Sequence, residues 1–369
     1  MAKPAQYAHS AHAVTRREVI AAAGAIAGVA AAATSCEPAV AQPTPPKARY
    51  GAAVYDTELG GDGALRSLYA RHCEVVTPGY FLKWESVQPS HNHFDWRNAD
   101  AAVDLGRSLG AAVRGHTLVW HQSMPAWALA IASAAEAERA LVSHIETIVA
   151  RYKGRIHSWD VVNEPLDEAA LRPEHLRRSV WQRQLGPRHL EVAFRTAAAV
   201  DPSCQLVLNE YGVETTDRRD QGKRRALLGL IRQLRERDVP IHAVGLQSHI
   251  KAEQSIDKDG LGSFLSEIKA MGLAVLITEL DMMDDRLPGD ISTRDEICAD
   301  RTRDLLSTVF GALPPQEVIT WGLSDRRTWL PTSYHKRADG LPMRPLPFDA
   351  ELRPKPMWQV IENFVRPKS

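Results

Sequence analysis

Net charge is the first thing this chain lacks. Its 369 residues carry 45 lysines and arginines against 45 aspartates and glutamates, a formal balance of zero. A neutral chain is a poor partner for nucleic acid or an anionic membrane surface, both of which recruit excess positive charge. Cysteine is scarce, with four in the chain, too few for a disulfide framework. Their surroundings show no metal-ligand spacing, and Cys73 and Cys204 open apolar runs, as small buried hydrophobes do. After the first 41 residues no run of 18 apolar residues occurs, so no membrane-spanning helix is expected. Internal repeats are absent. The one glycine cluster, Gly60-Gly61-Asp62-Gly63, lacks the spacing of a phosphate-binding fingerprint, which weakens an open doubly wound sheet as an alternative fold.

What remains is an ordinary globular composition, 44% hydrophobic and 24% charged, with nine tryptophans. Flat apolar rings on a neutral protein suit stacking on uncharged ligands such as sugars.

The N-terminal 41 residues read as a targeting segment. Thr15-Arg16-Arg17-Glu18 precedes a weakly apolar Ala/Gly/Ile/Val stretch, and Ala39-Val40-Ala41 is a small-residue cleavage site. The arginine pair resembles a twin-arginine signal, so export to the periplasm or beyond is expected. Cys36 offers a second chemistry, a lipoprotein acceptor, although the leucine usual three positions earlier is missing. Cleavage after Ala41 leaves Cys73, Cys204 and Cys298, of which at least one stays unpaired within the chain. Residues 42–47 form a proline-rich, stiff spacer. A single domain is expected over 48–366.

Within it, short continuous apolar runs alternate with longer amphipathic stretches. The runs at 51–54, 73–77, 111–119, 156–163, 204–209, 243–248, 273–278 and 318–323 are unbroken, as in strands buried on both faces. Helical periodicity covers 63–72, 96–109, 135–151, 176–200, 218–237, 263–271, 295–310 and 355–365. Gly110, Gly154 and Gly272 stand just past helix ends, where a left-handed cap is wanted. Eight strands alternating with eight helices predict an α/β fold, a (β/α)8 TIM barrel.

Two of these strands end in glutamate: Trp159-Asp160-Val161-Val162-Asn163-Glu164-Pro165 and Val275-Leu276-Ile277-Thr278-Glu279-Leu280-Asp281. Barrel chemistry sits at the C-terminal ends of the strands. Two carboxyl groups there, roughly 5–5.5 Å apart, are the minimum for glycosidic cleavage with retention. Crowded like charges resist joint ionisation, so one carboxyl is expected to carry the proton.

Further motifs follow in chain order: Lys83-Trp84, Arg114-Gly115-His116-Thr117-Leu118-Val119-Trp120-His121, Asn209-Glu210-Tyr211-Gly212, Gly245-Leu246-Gln247-Ser248-His249, Trp321-Gly322-Leu323-Ser324-Asp325 and Trp329-Leu330. With the two glutamate runs, this set resembles glycoside hydrolase family 10, the endo-1,4-β-xylanases, over roughly 48–366. The resemblance implies Glu164 as acid/base and Glu279 as nucleophile. It implies Asn163 on the sugar 2-hydroxyl, and His249 and Asp281 orienting Glu279. Gln247 and Asn209 would support that network. Trp321 and Trp329 would wall the glycone sugars, Trp120 and His116 floor them, Lys83 hold hydroxyls one subsite out, and Tyr211 floor the leaving side. The implied partner is β-1,4-xylan or its oligosaccharides, with no cofactor, no metal and a monomeric enzyme.

Blander readings stand beside these. His121 reads as a satisfied core histidine, and Trp84 and Trp159 as core. A zinc site from His116, His121 and His249 is a rival, but the first two are five apart, which is not ligand spacing. A non-catalytic glycan-binding barrel is another. It would not need both glutamates with His249 and Asn163. One departure matters: the family places Glu-Asn four and three positions before the lysine of Lys-Trp, and here Gly79-Tyr80 stand there. Tyr80 would stack on a sugar or fill that subsite, and a positive φ at Gly79, if it holds one, would resist a glutamate there. The loss bears on substrate choice and leaves open another β-glycan or short, decorated xylo-oligosaccharides.

Overall fold

The computed structural model describes residues 47–55, 61–330 and 336–367. The expected signal, Arg16, Arg17, Cys36 and all of the spacer but Lys47 lie outside them.

Nine strands form among these residues. They are β1 (Arg49–Val54), β2 (Val75–Pro78), β3 (Ala112–Gly115), β4 (Ile156–Asn163), β5 (Gln205–Glu210), β6 (Ala243–Leu246), β7 (His249–Lys251), β8 (Ala274–Met283) and β9 (Glu317–Thr320). All their pairings are parallel. The ladder runs β6-β5-β4-β3-β2-β1-β9-β8, and β6 pairs with β8 to close it. Eight strands therefore make the (β/α)8 barrel expected from the apolar runs.

The helices are α1 (Gly63–His72), α2 (Trp84–Val87), α3 (Arg97–Ser108), α4 (Ala126–Leu129), α5 (Ala134–Tyr152) and α6 (Val180–Leu185). Then come α7 (Arg188–Val200), α8 (Arg218–Arg235), α9 (Lys258–Ala270), α10 (Ile291–Ala312) and α11 (Pro356–Val365). Asp62, Ser133, Asp217 and Asp290 each start a helix by accepting a backbone N–H of its first turn. Gly110, Gly154 and Gly272 take φ of 73°, 73° and 71° past helix ends, as expected.

Four departures have local causes. The run 111–119 is strand only to Gly115, where a side chain would collide with the Trp159 ring. The helix expected over 176–200 breaks at Gly186, which sits at φ 58°, before Pro187. The last-but-one barrel strand runs past Thr278 to Met283, because β7 pairs with its overhang, His249 opposite Asp281. The short α2 and α4 carry too few turns to show a period. Cys73, Cys204 and Cys298 are buried and free.

The barrel interior is partly ionic. Arg114 and Asp160 are fully buried and paired, and Arg114 Nη1 also donates to Ser158 Oγ at 3.1 Å. The second Asp160 oxygen meets His116 Nδ1 at 2.9 Å. Removing one partner of a buried pair strands the other charge without water. Arg114→Met should therefore cost roughly 3–5 kcal/mol in urea unfolding. A loss below about 1 kcal/mol, the range of surface pairs, would mean that Asp160 does not depend on it.

Candidate active site

Glu164 stands one residue beyond β4 with φ 53°, in the left-handed region that non-glycine residues seldom adopt. The conformation is pinned on both sides. Its N–H donates to Asn209 O at 2.9 Å, and Arg177 Nε donates to its carbonyl at 3.2 Å. Such strain persists only where neighbours over-determine it. The side chain Oε1 accepts from Gln247 Nε2 at 3.2 Å and Asn163 Nδ2 at 3.3 Å.

Glu279 lies within β8 and is 4% exposed. Asn209 Nδ2 donates to its Oε1 at 2.7 Å, and His249 Nε2 meets its Oε2 at 3.2 Å. The amides interlock. Asn209 also donates to Asn163 Oδ1 at 2.9 Å, Gln247 donates to the same oxygen at 3.1 Å, and Thr278 Oγ1 donates to Asn209 Oδ1 at 2.7 Å. A path of amides thus joins the two carboxylates. Gly245 makes room for it, since a Cβ there would fall 2.1 Å from Asn209 Oδ1.

The two acids face different fields. Burial would raise the Glu279 carboxyl, but His116, His249 and Lys83 pull it down to about 2. His249 shows the mirror case. Burial would lower its imidazole, yet Asp281 and Glu279 hold it well above its usual value. Asp281 Oδ1 lies 3.0 Å from His249 Nδ1. The shift at Glu279 is thus downward, set by its cationic neighbours.

A cleft of about 550 Å³ opens over these groups. Lys83, His116, Trp120, Asn163, Glu164, Tyr211, Gln247, His249, Glu279, Trp321 and Trp329 all line it, whereas Asn209 and Asp281 are buried behind it. The ring of Trp321 packs 5.0 Å from His116, and Lys83 Nζ sits 4.4 Å over Trp120. Tyr211 is more crowded than a bare platform. Lys223 Nζ stands 3.4 Å over its ring and 2.8 Å from buried Glu210, while Arg177 donates to its hydroxyl at 2.7 Å. Trp84 and Trp159 are core, the first stacked on His144 at 3.5 Å.

Several expectations need correcting. His121 is not a satisfied core residue. Its Nδ1 faces Glu164 Oε2 at 3.7 Å with no hydrogen-bond partner, and burial pushes the imidazole down to about 4. Gly79 does not take a positive φ. It is small because a Cβ would come 3.1 Å from the Tyr55 ring, whose hydroxyl donates to Trp321 O at 3.3 Å. Tyr80 does not fill the subsite. It is 45% exposed, lies edge-on to Phe81 and is not part of the cleft lining. Among the described residues, His116, Asp160 and Glu279 are the group of donor atoms within metal-binding reach of one another, and neither His121 nor His249 belongs to it. Arg177 and Lys223 also line the cleft and escape the sequence reading. Both lie on segments whose charge pattern looks like a solvated face.

Three comparisons bear on this geometry. The model of the family described as glycosyl hydrolase family 10 matches residues 41–364. Endo-1,4-beta-xylanase B of Paenibacillus barcinonensis is 32% identical over 334 residues, covering 85% of this chain and 94% of the relative. Endo-1,4-beta-xylanase A of Caldicellulosiruptor sp. is 34% identical over 319 residues, 81% of this chain, which spans only 44% of that longer relative. Xylanase 10B of Thermotoga petrophila, crystallised with xylobiose, superposes with a TM-score of 0.78 at 26% identity, over 86% of this chain and 94% of that one.

Since Lys83 is one of the groups that keep Glu279 ionised, Lys83→Met should raise that carboxyl and move the acid limb of kcat/KM to higher pH. An unmoved limb would show that the two histidines suffice.

Proposed function

The chain belongs to glycosyl hydrolase family 10, and we propose that it is a retaining endo-1,4-β-xylanase, acting as a monomer on β-1,4-xylan or its oligosaccharides. The observation that carries this reading is the opposite treatment of two carboxyl groups in one cleft. Glu279 is buried and held ionised by His249 and Asn209, while Glu164 keeps an Oε2 with no hydrogen bond from the described residues. That free oxygen is where a transferable proton would sit.

In the first step a Glu279 oxygen attacks the anomeric carbon as Glu164 protonates the departing glycosidic oxygen. The product is a glycosyl ester on Glu279. In the second step Glu164, now ionised, takes a proton from water. The water oxygen attacks the same carbon and Glu279 leaves as carboxylate. Asn163 would donate to the 2-hydroxyl, a bond that strengthens as positive charge develops on the ring. The chemistry requires no cofactor. The Gly79-Tyr80 departure bears on the second glycone sugar, hence on chain-length preference, and not on the cleavage itself. The same relatives favour xylan over other β-glycans as the substrate class.

Glu279→Gln should abolish hydrolysis while the fold survives. Glu164→Ala should be crippling on xylan yet milder on aryl glycosides, whose leaving groups need little protonation. Equal loss on both substrates would remove the acid role. Proton NMR early in the reaction should show the β-anomer first; an initial α-product would mean inversion.

Export by the twin-arginine route belongs to the same proposal. Lysine at both Arg16 and Arg17 should leave full-length, active enzyme in the cytoplasm, and the exported form should begin at Gln42. A blocked, lipid-bearing start at Cys36 would establish the lipoprotein reading instead.

A further inference from the structure

Trp329 touches more than the cleft. It lies beyond β9, half-buried, with its ring 5.3 Å from that of His249. Its Nε1–H donates to Asp281 Oδ2 at 2.7 Å. Asp281 is fully buried on the overhang of β8, directly across from His249 on β7. Its other oxygen pairs with His249 Nδ1 at 3.0 Å. The indole is therefore the partner of Asp281 Oδ2, opposite the imidazole on Oδ1. From Asp281 the contacts pass through His249 to Glu279 Oε2 at 3.2 Å.

We propose that Trp329 is a positioning residue for Glu279 as well as a wall of the glycone side. The inference rests on the reading of Glu279 as nucleophile. Without the indole, Asp281 Oδ2 is a buried acceptor left unpaired, and the carboxylate is held at the imidazole end alone, so its orientation is less fixed. The His249 imidazole would then lose the charge that anchors it and release Glu279 Oε2. A sugar pressed against the Trp329 ring would tighten the same chain of contacts, so binding on the glycone side and alignment of the attacking oxygen are coupled. The charged or titratable groups facing Glu279 from other elements include His116 from the end of β3, Asp160 of β4, Glu164 beyond β4, Lys83 ahead of α2 and Tyr55 after β1. None of them touches the Trp329 nitrogen in the contacts described above.

The test uses Trp329→Phe, which keeps a ring and removes the donor, with an aryl xylobioside whose leaving group needs no protonation. The kcat should fall by ~10-fold, the size of one hydrogen bond to a charged group, and by more than KM rises. The acid limb of kcat/KM should move to higher pH. Asp281→Asn should shift the limb the same way, and the double variant should lose little beyond the single ones. A rise in KM alone, an unmoved limb and additive losses would make Trp329 a stacking wall only and overturn the inference. If Trp329→Phe fails to fold, Trp329→His, which retains a ring N–H, is the second variant and should show higher kcat than Trp329→Leu; equal losses would overturn it. Glu279→Ala with added azide separates the two readings. An α-glycosyl azide product supports the nucleophile, and in that case a null result for Trp329 sinks only the coupling. An active Glu279→Ala enzyme sinks both.

Discussion

A carboxylate must stay ionised inside a protein barrel, and much of this structure answers that demand. Glu279 is almost without water, and burial alone would protonate it. Two histidines, a lysine and an amide reverse the balance. Each of these needs its own support, so the demand spreads. His116 leans on Asp160, and Asp160 leans on Arg114 deep in the barrel. His249 leans on Asp281, and Asp281 on Trp329. Polar side chains thus occupy inward positions of β3, β4 and β8 that a barrel chosen for stability alone would fill with valine or isoleucine.

The leaving side obeys a different constraint. In the proposed mechanism Glu164 has to reach a bond between two sugars and carry a proton, and it sits half-buried at a strand end in a strained backbone conformation. Arg177 fastens that strain by holding the Glu164 carbonyl and the Tyr211 hydroxyl together. Lys223, neutralised by Glu210, covers the Tyr211 ring without bringing net charge near the acid. Glu279 draws on the positive charge of His116, His249 and Lys83, whereas Arg177 meets Glu164 at its backbone carbonyl. The imidazole of His121, which faces the Glu164 carboxyl, is pushed down to about 4 by burial and is neutral across the ordinary pH range.

Most of the barrel was legible because a strand buried on both faces leaves an unbroken apolar run, and each such run shows where chemistry emerges. Both glutamates follow from that, whereas the amides and the aromatic residues of the cleft were named through the family resemblance. The rest was hidden for physical reasons. β7 has three residues and exists only because β8 overshoots the barrel, which no local period records. His121 looks like any histidine after a core run, since what distinguishes it is the turn that brings it to Glu164. Arg177 and Lys223 sit among other cations, and only the fold selects these two for burial against Tyr211. Gly79 looked like a conformational glycine. It is a space-making one, matched to Tyr55, a residue 24 positions earlier in the chain.

The same charge balance ties catalysis to stability through pH. Glu279 has a folded value of about 2 against an ordinary 4.5, so its contribution to stability is complete above 4.5 and is lost as pH falls toward 2. His249 is shifted the other way. Its contribution is complete below its ordinary 6.5 and is lost as pH climbs through its raised folded value. The two shifts share one contact, His249 Nε2 to Glu279 Oε2, with Asp281 adding to it at the imidazole and His116 and Lys83 at the carboxyl. Between those limits Glu279 and the His249 imidazole that contacts it are both charged, and the barrel draws stability from both. Outside them, one end of that contact loses its charge, and the hold on the Glu279 oxygen weakens together with the stability it supplied.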